Sequence, residues 1–306
     1  MLDAISLDQL RIFIAAAEAG SFSAAGRRLG RAQSVVSQTI SRLEAETGVA
    51  LFTRAGRYPA LTEAGRLLLA DARTVSQSMN ALKARANSMA AGVEPELAVA
   101  IDVMFPMAVL TQAAAAFSAQ FPATSLRIYV ETLGGVAKSV LDGQCRLGVM
   151  GTLPLSLPEL VTERLLGVKM VFVAAPRHEL AQYDGVVPEA ALRQHIQLVL
   201  TDRTNLSSGQ EFQVHSPRNW RLADLGAKHA FLLAGLGWGG MPHAMVARDL
   251  AENTLVELKL HANEFYPAVM AMSATHRTDT APGPAGRWFV EQLKHFAAAE
   301  PGFQAA

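Results

Sequence analysis

Cysteine occurs once in the 306 residues, at Cys145, so the chain can close no disulfide on itself and suits a reducing compartment. No apolar run reaches the roughly 18 residues that a membrane span requires. The opening "MLDAISLDQL" has acidic residues and no basic stretch ahead of an apolar one, so it does not read as a secretory signal. Net charge is absent too, with 27 Lys+Arg against 27 Asp+Glu. Motifs of catalysis are equally missing. There is no GxSxG, no histidine pair at metal-binding spacing and no GxGxxG that follows a strand and opens a helix. These absences point to a cytoplasmic, cofactor-free, metal-free chain that is not an enzyme. Cys145 stands without a second cysteine in an apolar run and reads as a buried structural thiol.

The neutral balance hides an asymmetry. Residues 1–90 hold 11 Lys+Arg against 7 Asp+Glu, a net of +4, and the remainder carries −4. Six arginines, Arg27, Arg28, Arg31, Arg42, Arg54 and Arg57, crowd into the front. A basic front and an acidic rear imply different partners for the two parts.

Among those arginines lies "RAQSVVSQTISRLE", residues 31–44. Val36, Ile40 and Leu43 form one buried stripe of a helix. The opposite face shows Ser34, Ser37, Gln38 and Ser41, polar but uncharged, where a merely solvated face would carry Lys and Glu. Glutamine can pair bidentately with adenine and serine can donate or accept, so such a face can read base edges in the major groove. Flanking arginines bind phosphate and carry no sequence information. Upstream, Ser6 and Gln9 fit a capping box for a helix ending at Gly20. Ser23 reads as the cap of a second, short helix that stops at Gly30. Two helices joined tightly, the second spanning about 32–46 and polar outside, predict a helix-turn-helix. Leu51-Phe52 and Ala60-Leu61 around "RAGRYP" predict a small hairpin, or wing, with arginines at its tip.

From Leu68 the apolar residues Leu68, Ala72, Val75, Met79, Leu82, Ala86 and Met89 alternate at spacings of four and three, a heptad seam suited to pairing with a second copy. Gly92 and Pro95 end it. Beyond, "ELAVAIDV", "SLRIYVE", "RLGVMG", "KMVFVAA", "IQLVLTD" and "VMAMS" read as strands, with helices at 106–120 and 135–143 between them. The expected class is α/β multidomain: a winged helix-turn-helix, a linker helix, and an α/β domain with a largely parallel sheet. In "LLAGLGWGGMPHAMV" Gly235, Gly237 and Gly239 read as serving tight packing and turns, with Trp238 in the core.

"LDQLRIFIAAAEAGSFSAAGRRLG", "AQSVVSQTISRLEAETGVALFTR" and "LTEAGRLLLADA" closely resemble the N-terminal domain of the LysR-type transcriptional regulators, over residues 7–73 almost without a break. The resemblance implies a DNA-binding domain at 1–65, a linker and dimerisation helix at 66–90, and a periplasmic-binding-protein-like effector domain at 91–306. Its lobes would span about 95–163 with 270–306, and about 164–269. It implies double-stranded DNA, RNA polymerase, a small-molecule effector and a second copy, as dimer or tetramer, for partners. The DNA-contact candidates are Arg31, Gln33, Ser34, Ser37, Gln38, Arg42, Arg54 and Arg57. The effector candidates stand at strand ends: Asp102, Met104, Phe105, Thr132, Leu133, Thr152, Thr201, Asp202 and Arg203. The chain departs from the family where Ala32-Gln33-Ser34 replaces a common Ser-Gln-Pro. It departs again where Met104 replaces a Ser or Thr that helps hold a carboxylate, which implies an aromatic or weakly polar effector. Arg146 stands where members usually carry Asp. Two other readings remain open: a regulator whose cleft is filled by its own side chains, and a solute-binding α/β domain dimerised by its N-terminal helices.

Overall fold

A computed structural model describes residues 5–53, 59–152, 157–201, 203–206, 213–260, 269–299 and 304–305, which fall into two compact units, Met1–Asn87 and Ser88–Ala306. In the first unit α1 (Leu7–Ala19) begins at the capping box: the Ser6 hydroxyl accepts the Gln9 amide at 3.2 Å and the Gln9 side chain accepts the Ser6 amide at 2.6 Å. Gly20, at φ 66, closes it in the left-handed region. α2 (Phe22–Leu29) is capped by Ser21, not Ser23. Ser21 follows Gly20 in extended backbone and takes the Ala24 amide at 3.1 Å, so the helix starts earlier than the serine pattern implied and Ser23 accepts from Arg27 on its exposed side. α3 (Gln33–Thr47) follows, ended by Gly48. β1 (Phe52–Thr53) and β2 (Ala60–Leu61) pair antiparallel as the base of the wing, and α4 (Glu63–Ala90) runs on for 28 residues.

One core serves these helices: Ile12, Phe13, Ala16, Ala25, Val36, Ile40 and Leu43 are buried together with Leu51 and Phe52. Phe52 meets Phe13 and Phe22 edge-to-face at 5.8 and 5.2 Å, which fastens the wing's first strand to the bundle. The Glu44 carboxylate reinforces that link by accepting the Leu51 and Phe52 amides at 2.7 and 3.1 Å. Leu68 and Ala72 of α4 also join this core. Farther along α4, Val75, Leu82 and Met89 are 46%, 59% and 56% exposed, a row of large apolar groups left facing solvent.

The second unit alternates strand and helix: β3 (Glu96–Asp102), α5 (Met107–Gln120), β4 (Ser125–Glu131), α6 (Gly134–Leu141), β5 (Leu147–Gly151) and the long β6 (Leu160–Ala174). Then come α7 (Glu189–Leu192), β7 (Gln197–Leu200), β8 (Asn219–Leu222), α8 (Leu225–Leu233), β9 (Trp238–Pro242), α9 (His243–Ala251), β10 (Val256–Leu258), β11 (Val269–Arg277), α10 (Pro284–Ala299) and β12 (Gln304–Ala305). The strands stand in the order β4-β3-β5-β11-β6-β9-β7-β8, with β10 and β12 also on β6. The sheet is mixed rather than largely parallel. β3 pairs parallel with β4 and β5, and β7 with β8 and β9, but β11 and β6 run antiparallel through the middle.

Leu160–Lys169 of β6 lie against β11, while Met170–Ala174 lie against β9. Each stretch has its own core. Val99, Ile101, Phe117, Leu166 and Phe289 fill the first, and Val171, Leu198, Leu232 and Met241 the second. The Glu94 carboxylate caps α10 in the first lobe, accepting the Ala285 and Gly286 amides at 2.9 and 3.2 Å. Within the glycine-rich stretch Gly235, at φ 71, lies in the turn after α8, and β9 begins at Trp238. A Cβ at Gly237 or Gly239 would lie 2.4 or 2.5 Å from the carbonyls of Ile196 or Leu198, so glycine there permits close strand approach and erases the apolar alternation that marks a strand. Trp238 is fully buried, as read. Among the described residues, no helix is long and apolar enough to cross a membrane.

Lys228, on the buried face of α8, is 4% exposed, and its ammonium has one acceptor among the described residues, the Gly240 carbonyl at 2.7 Å. Burial pushes its pKa down to about 8 from 10.5. Between those values the unfolded chain holds a proton that the native chain has released, so stability rises with pH across that window, and below it the fold carries the full cost, roughly 3 kcal/mol. Lys228→Met leaves the Gly240 carbonyl unpaired but removes the buried charge. It is expected to raise Tm at pH 7, with the advantage shrinking from pH 8 to 10. A melt series in which the variant is less stable at pH 7 refutes this account.

Candidate functional site

The first unit exposes one surface built by α2, α3 and the turn between them. Gly30, at φ 65, ends α2, and the Arg31 amide reaches back to the Gly26 carbonyl at 2.8 Å. The turn is tight enough that a Cβ on Gly26 would sit 2.6 Å from the Arg31 carbonyl. α3 then emerges with Val36, Ile40 and Leu43 buried and with Gln33, Ser34 and Gln38 exposed; Ser37 is half-buried on the same side. Val35, 41% exposed, adds one apolar contact that the polar pattern had passed over. Ala32 caps α3 without a side-chain hydrogen bond; its carbonyl takes the Val35 and Val36 amides at 3.1 and 3.2 Å, and the amides of Gln33 and Ser34 at the very start of the helix are left for an outside acceptor.

The arginines around this surface are not bare. Arg31 forks onto Asp8 at 2.7 and 2.9 Å, Arg42 meets Glu46 at 2.8 Å, and Arg28 meets Glu18 at 2.8 Å. These pairs are exposed and therefore weak. Sequence reasoning missed the carboxylates because Asp8 and Glu18 come from α1, well before the motif. Arg54 and Arg57, the other phosphate candidates, lie outside the described residues.

The second unit brings its strand-end candidates to the junction of the two lobes. Asp102, 5% exposed, accepts the Met104 amide at 2.8 Å. Burial pushes its carboxyl up to about 6, against the pull of the backbone amides of Met104, Gly151 and Leu133. Thr132 donates its hydroxyl across the junction to the Thr201 carbonyl at 3.1 Å. Met104 packs on the cores of both lobes, whereas Phe105 is buried in the first alone. Thr152 is exposed and donates to the Ala271 carbonyl at 3.1 Å. Leu133 is half-buried, at φ 46, and Arg203 is exposed. Asp202 lies outside the described residues. Leu206, absent from the sequence candidates, crosses from the segment after β7 to pack on the first lobe's cluster around Val136 and Cys145. Cys145 is buried, which pushes its thiol up to about 11. No group of three metal-ligating side chains occurs among the described residues.

Two family models match the chain: the bacterial regulatory helix-turn-helix of the lysR family over residues 7–66, and the LysR substrate binding domain over residues 90–298. The probable transcriptional regulator YhaJ of Escherichia coli is 28% identical over 95% of this chain and 96% of its own. The transcriptional activator AllS of Klebsiella pneumoniae is 29% identical over 86% of this chain and 96% of its own. Among solved structures, a mutant of Corynebacterium glutamicum OxyR superposes with a TM-score of 0.57 at 21% identity, covering 96% of this chain and 93% of that one, which supports the shared fold.

The tight turn gives a local test. Gly26→Ala drives a methyl into backbone and is expected to cost about 1–3 kcal/mol. Gly20→Ala, where space is open but φ is positive, costs about 1 kcal/mol. Calorimetry should place both losses in the transition of the first unit; a Gly26→Ala protein with an unchanged profile contradicts the packing described.

Proposed function

The chain belongs to the LysR family of DNA-binding transcriptional regulators, and from that premise we propose how its residues divide the work. Gln33, Ser34, Ser37 and Gln38 read base edges from α3. Arg31, Arg42, Arg54 and Arg57 hold phosphates on either side. The observation that carries this reading is the start of α3, uncapped, exposed and lined with amide and hydroxyl groups. Residues 1–65 act as the DNA-binding domain and 66–90 as the helix that pairs two copies. Residues 91–306 act as the effector domain, with lobes at about 95–163 with 270–306 and about 164–269. The exposed row Val75, Leu82 and Met89 supports the pairing, since large apolar groups at heptad spacing gain most by meeting their own kind.

A small molecule bound between the lobes, near Met104, Phe105, Thr132, Leu133 and Thr201, with Asp102, Thr152, Asp202 and Arg203 around it, sets how they close. That closure changes the separation of paired DNA-binding heads and, through them, the engagement of RNA polymerase in the cytoplasm. The effector biases closure only by its differential affinity for the two arrangements. Effector-independent regulation is the second reading. It draws support from Met104, which packs on both cores, and from the Thr132–Thr201 bond, which joins the lobes directly.

Gln33→Ala should lose roughly 1–3 kcal/mol on the operator and far less on random DNA, measured by titration against both. Equal losses on the two would remove the base-reading role. Replacing both Val75 and Leu82 by Asp places charge in the seam without a partner. Light scattering should then report a smaller assembly or a misassembled one, and binding to two half-sites should be lost; an unchanged mass rules out this seam as the dimer contact.

A further inference from the structure

Three strand ends of the first lobe meet at one side chain. Asp102 closes β3 and folds its carboxylate back onto the Met104 amide at 2.8 Å. The amides of Leu133, just after β4, and of Gly151, which ends β5, also stabilise its charge. Leu133 takes φ 46 and ψ −119, a conformation that L residues seldom adopt. Among the described residues no cation pairs with Asp102, so backbone dipoles alone oppose the desolvation of its charge. That is how proteins hold a bound anion, and it occurs at the carboxyl ends of the strands, where ligands of α/β sheets sit.

We propose that Asp102 is an internal ligand: its carboxylate occupies the anion site at the ends of β3, β4 and β5, so the cleft takes an effector that brings no carboxylate to this wall. The proposal rests on the effector reading above. Neighbouring donors agree with it. The Thr132 hydroxyl is given to the Thr201 carbonyl and the Thr152 hydroxyl to the Ala271 carbonyl. A ligand carboxylate arriving here meets committed amides and a like charge beside them. A neutral or cationic group meets no repulsion, and Met104 offers it an apolar floor.

The test empties the site. Full-length wild type, Asp102→Gly, Asp102→Ser and Asp102→Asn are melted in sodium acetate and in sodium chloride at matched ionic strength. Asp102→Gly opens the cradle, and Asp102→Ser does the same with a smaller change should the glycine variant not fold. Asp102→Asn keeps the space filled. The expected result is a saturable, acetate-specific rise in Tm of a few degrees for the Gly or Ser variant and none for wild type or Asn. Absence of that rise in a folded Gly or Ser variant overturns the proposal, as does a saturable acetate response of wild type. Footprinting on operator DNA with benzoate separates this from the effector reading. If benzoate stabilises wild type saturably and shifts its footprint, the cleft is a switch and the internal ligand is wrong. If the acetate result holds yet no compound of a metabolite screen alters the footprint, the internal ligand stands and the effector reading falls.

Discussion

Hydrogen bonding along β6 is the constraint on which the second unit depends. A strand of 15 residues whose middle and end are buried cannot leave its backbone groups unpaired there, so each half must find its own neighbour. Leu160–Lys169 find β11, and Met170–Ala174 find β9 and β10. The sheet therefore continues along β6 from one lobe into the other, with one register shift against β11, while the hydrophobic cores on either side remain separate. Strands that end at this junction, β3, β4 and β5 from one side and β7 from the other, present their carboxyl ends to it. Ligands of α/β sheets sit at such carboxyl ends, so this placement follows from the connectivity rather than from any special residue.

Buried charge is used in three ways around that frame. Glu94 places its carboxylate at the N-terminus of α10, where two free amides and the helix dipole favour it, and Gly283 leaves it room, since a Cβ there would lie 2.4 Å from the carboxyl carbon. Asp102 also takes backbone amides, yet desolvation outweighs them and its carboxyl rises to about 6. Lys228 has a single carbonyl and falls to about 8. The first arrangement stabilises a fold. The other two hold titratable groups against their preference, and such groups collect at sites with a task beyond packing more often than chance allows.

Legibility in the sequence tracked locality. Capping boxes, glycine stops and the 3.6-residue stripe of α3 act within one or two turns, so the helix-turn-helix was readable nearly to the residue; Ser21 and Ser23 differ only in which of two neighbouring serines has extended backbone. β4 was readable end to end because it alternates. β9 was not, because Gly239 within it answers to Leu198, and Gly237 just before it to Ile196, each some forty residues away. β6 was read only in its second half, since "TERLLG" is polar at its start and needs β11 to be a strand. The effector candidates Asp102, Thr132 and Thr201 stand at the ends of β3, β4 and β7, but their roles were not in the sequence. Whether Asp102 faces a ligand or fills the ligand's place depends on amides contributed by three separate strands.

The arginines of the first unit raise a final point about electrostatics. Sequence counting treats each as a free cation, yet Arg31 and Arg42 arrive with Asp8 and Glu46 in hand. Exposed pairs of this kind contribute about 0.2–1 kcal/mol, so exchanging a carboxylate for a phosphate is easy energetically. The exchange is not free of consequence for ions. DNA sheds a counterion when a phosphate is neutralised, while the abandoned carboxylate gathers one back. An arginine already paired in the free protein thus adds a phosphate contact and its geometry without adding a full step to the salt dependence. For an interface built as proposed, the slope of affinity against salt therefore understates the number of arginines on the backbone, and sequence preference must come from the uncharged face of α3.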